Sequence, residues 1–396
     1  MSVTVGPNCP ELVFEIDFDT DPGATPRTYT DVSSDVRALS YIRGGRAHEL
    51  QRSDAGSLTA VLDNRSGDYD PTNALGAYYP GVKRMRWCRV KAVWATVTYI
   101  RWTGLIESWR QEWPSGGTDA TVTVRAVDAF KVLNLYDLDG LSYALQTTDV
   151  RVAAVCASVG LPSTVDTDAA TTIVESGTFA ADTMALSHLL AIEESENGLL
   201  YAGSDGTIVF QGRYYRLLNS STSKGTIGDA AGEIPYRTGE LDLDDADLWD
   251  SAAVTPSGGT PETATDSASI AAHYERTLNR GILAASQTEA LSAAQFLVER
   301  YADQAPRIPQ VELVGQADTS KWPVILAAVN SDRFTWHRSA VADIEQDVFV
   351  ERVSDVVVPG TEWRVAFELS PAADQAGWVL GDPTYSLLGE TTVLVY

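Results

Sequence analysis

Basic residues are scarce in this chain: 29 Lys and Arg stand against 54 Asp and Glu over 396 residues, a formal net charge of −25. Gripping nucleic acid requires a basic footprint that neutralises phosphates, so tight DNA binding is excluded as the main role. Cysteine is nearly as rare. Cys9, Cys88 and Cys156 are odd in number, far apart and without a Cys-x-x-Cys pair. That excludes a disulfide framework and fits reduced thiols in a protein made in the cytoplasm. No run approaches the ~18 uninterrupted apolar residues of a membrane helix. The opening Met1–Pro7 lacks the basic and apolar regions of a secretion signal. The four histidines, His48, His188, His273 and His337, occur singly, with no His-Glu-x-x-His spacing. A nucleophile elbow, a phosphate loop and a dinucleotide glycine pattern are all missing. The sequence therefore assigns no catalytic, cofactor-binding or metal-binding residue and predicts a protein that is not an enzyme.

What is present is mostly β pattern. At this length two to four domains are expected. Leu12, Phe14, Ile16 and Phe18 alternate with Glu11, Glu15 and Asp17, and Leu58, Ala60 and Leu62 alternate with Ser57, Thr59 and Val61. Further strands are predicted at Arg86–Val97, Ile100–Trp109 and Thr121–Ala126. Near Thr147 the pattern changes. A helix is expected from a cap at Thr148 or Asp149 through Val159, stopped by Gly160 and Pro162. Asp182 is expected to cap a second, Thr183–Glu196. A hairpin then joins Leu199–Ala202 to Thr207–Gln211 through Gly203–Gly206. Beyond Gly239 the strand pattern returns at Gln310–Val314, Arg333–His337, Phe349–Val358 and Trp363–Leu369. One helix interrupts it near 286–304, with Ser286 and Glu289 as a capping box and Leu291, Ala294, Val298 and Tyr301 on one face. The fold class is thus mainly β with an α/β insert. The expected divisions are a first β-barrel at 1–145, a small α/β domain at 146–236, a second β-barrel at 237–372 and an extended arm at 373–396.

Three features suggest chemistry, and each has a plainer reading. Asp63–Asp70 clusters oxygen ligands around Gly67, but Arg65 sits among them and Asx turns use the same residues. The acidic run Glu240, Asp242, Asp244, Asp245, Asp247 and Asp250 could hold a metal or supply glycosidase carboxylates. Alternation with Leu241 and Leu243 instead suggests an exposed strand face. Trp87, Trp94, Trp102, Trp109 and Trp113 could form a sugar platform or simply pack a β-rich core.

The segment Arg43–Asn73 resembles a pattern of tail-tip proteins from long-tailed phages: Gly45-Arg46 and Glu49-Leu50 lead to Asp63-Asn64 and Tyr69-Asp70-Pro71. Leu199–Phe210, Asp266–Arg276 with the helix and Pro306 after it, and Val350–Val353 with Glu362–Pro371 resemble later parts of the same proteins. So does the arm that begins at Trp378. The resemblance is to the baseplate or tail-tip hub, often called a minor tail protein. It implies two tail-tube-like barrels per chain and a homotrimer forming a pseudo-sixfold ring at the virion tail tip, assembled in the bacterial cytoplasm. Its partners would be a tail tube or distal tail protein above, a tip or spike protein below, and a tape measure protein. No cofactor is implied. The acidity would suit a lumen through which DNA slides without sticking. Many relatives extend into a peptidase or lysozyme domain, whereas this chain ends soon after its second β half. A receptor- or carbohydrate-binding tail protein is the alternative, and a glycoside hydrolase a remote one.

Overall fold

The computed structural model describes residues 2–372, except 48, 116–117, 167–171, 244, 304–305 and 341–342, together with the short strands Ala376–Gly377 and Thr392–Val393. The chain is mainly β, as its alternation predicts. Most strands join one fourteen-stranded sheet. Its first half runs, in spatial order, Trp87–Trp94, Val97–Glu112, Thr121–Val127, Ser57–Asp63, Val36–Ile42. Its second half runs Arg333–Arg338, Ile344–Val358, Glu362–Pro371, Gln310–Leu313, Tyr236–Gly239. Leu58, Ala60 and Leu62 are buried, while Ser57 and Thr59 are exposed. A single hydrophobic core runs beneath both halves, from Leu12 and Phe14 through Trp102 to Trp363 and Phe367.

The two halves match strand for strand, and two of their ladder irregularities recur at matching places. The ladder between Val97–Glu112 and Thr121–Val127 shifts register between Ile106 and Ser108. Its counterpart between Ile344–Val358 and Glu362–Pro371 shifts between Val350 and Arg352. The outer ladders shift between Val36 and Ala38 in one half and between Tyr236 and Thr238 in the other. Met85 (φ 63) donates to the Ile106 carbonyl, and Ser331 (φ 70) donates to that of Val350. Bulges and left-handed residues are local strains that arise only where the backbone path demands them. Their shared positions mark an internal repeat, in which Ile106 corresponds to Val350 and Leu39 to Gly239.

The halves meet through one pairing. Leu39, Ser40, Tyr41 and Ile42 lie opposite Val357, Val356, Asp355 and Ser354. The insert between the halves has its own core. Helices Phe130–Leu135, Thr148–Val159 and Ala185–Glu196 pack with the expected hairpin of Leu199–Ala202 and Ile208–Gln211, whose second strand starts one residue later than predicted. Gly160, in the left-handed region (φ 78), ends the second of these helices as expected. The third begins later than predicted. Leu138 N–H donates to Thr183 O at 2.9 Å and Met184 bridges Asp137, so both residues stay extended and Asp182 does not cap the helix. Residues 251–301 build a separate layer, in which Glu262–Thr265, Ser251–Pro256 and Thr277–Ile282 carry the helix Gln287–Tyr301. That helix buries Ala290, Ala293, Ala294, Leu297 and Val298, a face rotated from the predicted one. Ser286 Oγ accepts from Glu289 N–H as a cap, but the Glu289 carboxylate reaches Ile173 N–H at 2.8 Å instead of closing the box. The arm at 373–396 lies outside the described residues apart from its two short strands.

Candidate functional site

The segment Arg43–Ser53 is the point where every layer of the molecule is tied together. It starts where the strand Val36–Ile42 leaves the sheet. Gly45 and Asp54 exchange backbone hydrogen bonds of 3.1 and 2.7 Å and pinch the loop shut. Gly45 has φ 147, and a Cβ there would meet Asn330 Nδ2 at 2.5 Å and Glu351 O at 2.6 Å, so no larger residue fits.

The side chains then reach outward. Arg43 donates to the carbonyls of Arg101 (2.9 Å) and Ala328 (2.8 Å). Burial, and the like charge of Arg101 beside it, lower its pKa to about 10. Arg46 pairs with Glu351 at 2.9 Å and donates to Gly198 O at 3.1 Å, joining the second sheet half to the α/β insert. Glu49 accepts from Arg300 at 2.6 Å, from Arg216 at 3.3 Å and from the Tyr301 hydroxyl at 3.3 Å. Ser53 donates to Glu193 through its hydroxyl (2.5 Å) and its N–H (3.2 Å). Burial raises the Glu193 pKa.

Glu351 is the bulge residue of its strand and has no exposed surface. Burial opposes its charge, but Arg216 and Arg46 outweigh that and hold its carboxyl well below the usual carboxylate range. Beside it, where the halves pair, Asp355 accepts from Arg101 (2.8 Å), from Trp363 Nε1 (2.8 Å) and from the Tyr41 hydroxyl. Arg101 also donates to Leu326 O at 2.7 Å. Glu351, Asp355 and Glu49 thus each have a charged partner and further hydrogen bonds, while Arg43 is held by carbonyls and Glu193 by Ser53, so each buried charge is hydrogen-bonded, the condition under which buried polar groups are tolerated. The arrangement supplies rigidity and register. A cavity of about 810 Å³ lies between this loop, the insert and the helix Gln287–Tyr301. Its arginines are already engaged: Arg52 with Glu194, Arg213 with Glu196, Arg300 with Glu49 and Arg333 with Asp347.

The sequence candidates have other occupations. In the Asp63–Asp70 loop, Asp63 pairs with Arg37 (3.0 Å) and Arg65 (2.6 Å), Asp68 accepts from Ala77 N–H and Asp70 from Thr72 N–H. Asn64 accepts from Tyr69 N–H at 3.0 Å and donates to Gln111 at 2.7 Å, which holds the Tyr69 ring against Tyr78 and Trp109. The loop is therefore shaped by Asx turns. The strand expected across Glu240–Asp244 ends at Gly239, Asp244 is outside the described residues, and Leu241 and Leu243 are exposed. Asp245 pairs with Arg276, Asp247 with Arg307, and the buried Asp250 accepts from Arg276 N–H at 2.7 Å. Trp87 and Trp102 are buried, Trp94 and Trp109 partly so, and of the five only Trp113 is exposed.

His188 is buried against Phe179 and Arg151, and burial, then the Arg151 charge, lowers its pKa to about 4. His273 is exposed at a helix end, and His48 is outside the described residues. His337 places Nδ1 2.6 Å from Glu233 and Nε2 3.1 Å from Asp343, and these hydrogen bonds raise its pKa. Asp229, Glu233 and His337 have the spacing of a metal site. Both ring nitrogens already face carboxylates, and Asp229 accepts from the N–H groups of Ser339 and Ala340.

No protein-family model matches the chain, and no curated protein matches it by sequence. Solved structures do match. The tail protein from Neisseria meningitidis MC58 superposes with a TM-score of 0.60 at 11% identity, over 90% of this chain and 95% of that one. The chain has the fold of a phage tail protein. The 43 kDa tail protein of prophage MuSo2 from Shewanella oneidensis gives 0.56 at 12% identity over 91% and 97%. Prophage tail protein gp18 from Listeria monocytogenes EGD-e gives 0.51 at 9% over 91% and 95%.

Within this tail-protein fold the residues that sequence reading missed are Arg101, Arg216, Glu351 and Asp355. The last two had a signal: acids inside the run Val350-Glu351-Arg352-Val353-Ser354-Asp355-Val356, where a core strand should be apolar. Arg43, Arg46 and Glu49 lay inside the segment Arg43–Asn73 that carries the family resemblance, but nothing in the sequence marked them as members of a buried ion network.

Proposed function

We propose that the chain is a structural, non-enzymatic hub of a phage tail tip or baseplate. Three copies form a ring that joins the tail tube or distal tail protein to the tip or spike and surrounds the DNA channel. The observation that carries this reading is the internal repeat. One chain holds two copies of a single strand arrangement that share two bulges, so three chains present six equivalent units to a hexameric tube. The shared fold with prophage tail proteins supports a role in the tail. The buried ion network supports a rigid hub, since it fixes the angle between the two repeats. The charge of −25 supports a lumen that repels DNA. A tape measure protein would end at this ring. Electron microscopy of virions tests the reading: antibody label on the tail axis at the tip is expected. A peripheral position, or turnover of a cell-wall or capsular polysaccharide by the purified protein, would overturn it.

A further inference from the structure

Away from the ion network, a second cavity of about 350 Å³ opens where three segments meet. The loop before Thr30–Asp31 brings Arg27 and Tyr29, the strand Trp87–Trp94 brings Arg89, and the strand Val97–Glu112 brings Thr103. Asp205 closes the cavity from the turn of the insert hairpin. That turn is tied to the sheet, because the Thr103 hydroxyl donates to Ser204 O at 2.7 Å.

Two guanidiniums are fixed in this cavity by aromatic faces. The Arg27 guanidinium carbon lies 3.9 Å from the centre of the Trp87 ring, and that of Arg89 lies 3.9 Å from the centre of the Tyr29 ring. Stacking of this kind orients the N–H donors without consuming them. Arg89 spends its Nε on Glu15, its neighbour across the ladder, and Lys91 takes the same carboxylate at 2.7 Å. One acid thus serves two cations, and Arg27 adds a third. The buried Arg27 Nε has no hydrogen-bond partner, and among the described residues no carboxylate pairs with Arg27. Burial raises the Tyr29 pKa while the charges of Arg27 and Arg89 oppose that rise, so the phenol lies within the field of both. In a chain with 54 acids to 29 bases, an arginine left without an acid in a cavity is the reverse of what composition favours.

We propose that this cavity binds a small carboxylate that also carries hydroxyl groups, the chemistry of a uronic acid. The carboxylate takes the Nη donors of Arg27 and Arg89, in the planar geometry that guanidinium and carboxylate share. The hydroxyls take Thr25, Thr103 and Asp205, which together donate and accept. Asp205 uses one carboxylate oxygen on Thr207 N–H at 2.9 Å, which leaves the other for the ligand. Its negative charge also disfavours a doubly charged phosphate in the same place. Ile100, 38% exposed, gives an apolar edge for the face of a ring. A cavity of about 350 Å³ is at the small end of ligand sites, sized for a sugar ring rather than a folded partner. The site is separate from the hub reading and does not depend on it.

Calorimetric titration of the full chain with glucuronate at low salt tests the proposal, with glucose, acetate, phosphate and a glutamate-rich peptide as comparisons. Saturable binding of glucuronate and none of glucose is the expected result. Arg27→Gln is expected to weaken binding by about tenfold or more, because charge-assisted hydrogen bonds are lost. Asp205→Ala, at an exposed turn, is expected to weaken glucuronate several-fold and to leave phosphate no weaker. It reads the site even where Arg27→Gln lowers stability. No saturable binding, or binding unchanged in Arg27→Gln, overturns the proposal. Acetate or phosphate that binds as tightly as glucuronate would show a bare anion site and overturn the hydroxyl contacts. A peptide that binds more tightly than glucuronate would make the cavity a protein contact and overturn the sugar acid. None of these outcomes alters the hub reading.

Discussion

In the first half of the sheet the bulge between Ile106 and Ser108 carries Glu107, which meets Lys131 at the surface at 2.5 Å. In the second half the same bulge carries Glu351, fully buried between Arg46 and Arg216. The backbone geometry is the same and the chemistry is opposite. What separates them is the covering layer. Arg43–Ser53 folds over the second position together with the α/β insert, and each carboxylate is matched to the dielectric it experiences. A repeated backbone therefore does not fix how a position is used; the insertions that cover it do.

Glu351→Gln breaks this contrast most strongly. It leaves Arg46 and Arg216 without their buried counter-charge, and a loss of about 3–5 kcal/mol in urea unfolding is expected. Glu107→Gln at the matching position is expected to cost under about 1 kcal/mol. Equal losses would show that the two bulges are equivalent after all. Asp355→Asn, where the two halves pair, comes next. It leaves Arg101 short of its counter-charge, at about 2–4 kcal/mol, whereas Gln111→Ala, its open counterpart, is expected to cost about 1 kcal/mol. The same unfolding curves check both.

A pH series sharpens the comparison at the root of the covering loop. Asp128 accepts from Gly56 and Phe130 N–H groups, and burial raises its pKa to about 7. The folded chain keeps a proton there that the unfolded chain releases near its ordinary value of about 4. Stability from this group is therefore complete at acid pH and declines as pH rises from about 4 to 7, by up to about 1.4 kcal/mol per unit. The difference between Asp128→Asn and the parent in melting temperature should grow through that window and level off above it. A constant difference would show that Asp128 does not titrate there. The smallest effects are at the buried Tyr41 and the exposed Leu241. Tyr41→Phe removes one hydrogen bond to Asp355 and is expected to cost about 1 kcal/mol. Leu241→Ala is expected to change the stability of the isolated chain by under about 0.5 kcal/mol.

Local pattern was enough for much of the fold. Alternation placed Ser57–Asp63 and its buried leucines, and Gly160 stopped its helix where a left-handed residue was needed. The capping box at Ser286 was only half right, because Glu289 found Ile173 from another layer. The helix expected at Thr183 started late for the same reason, since Asp137 and Leu138 hold residues 183–184 in an extended path. The acidic run near Glu240 was read as a strand face from its alternation. That strand ends at Gly239, and its leucines remain uncovered in the single chain.

The sequence alone determined the β class, the insert with its helices and hairpin, and a net charge of −25, because residue period and turn residues act over a few positions and charge is a matter of composition. Only the tertiary structure decided that Arg46 meets Glu351, 305 residues away, and that Tyr41 and Arg101 share Asp355. A charge buries favourably only when a specific distant partner arrives to match it, and nothing in the neighbouring residues encodes that arrival. Two like β halves were expected, but their residue-by-residue correspondence was hidden for a related reason. It is written in hydrogen-bond register and bulge position, which many side-chain sequences can satisfy.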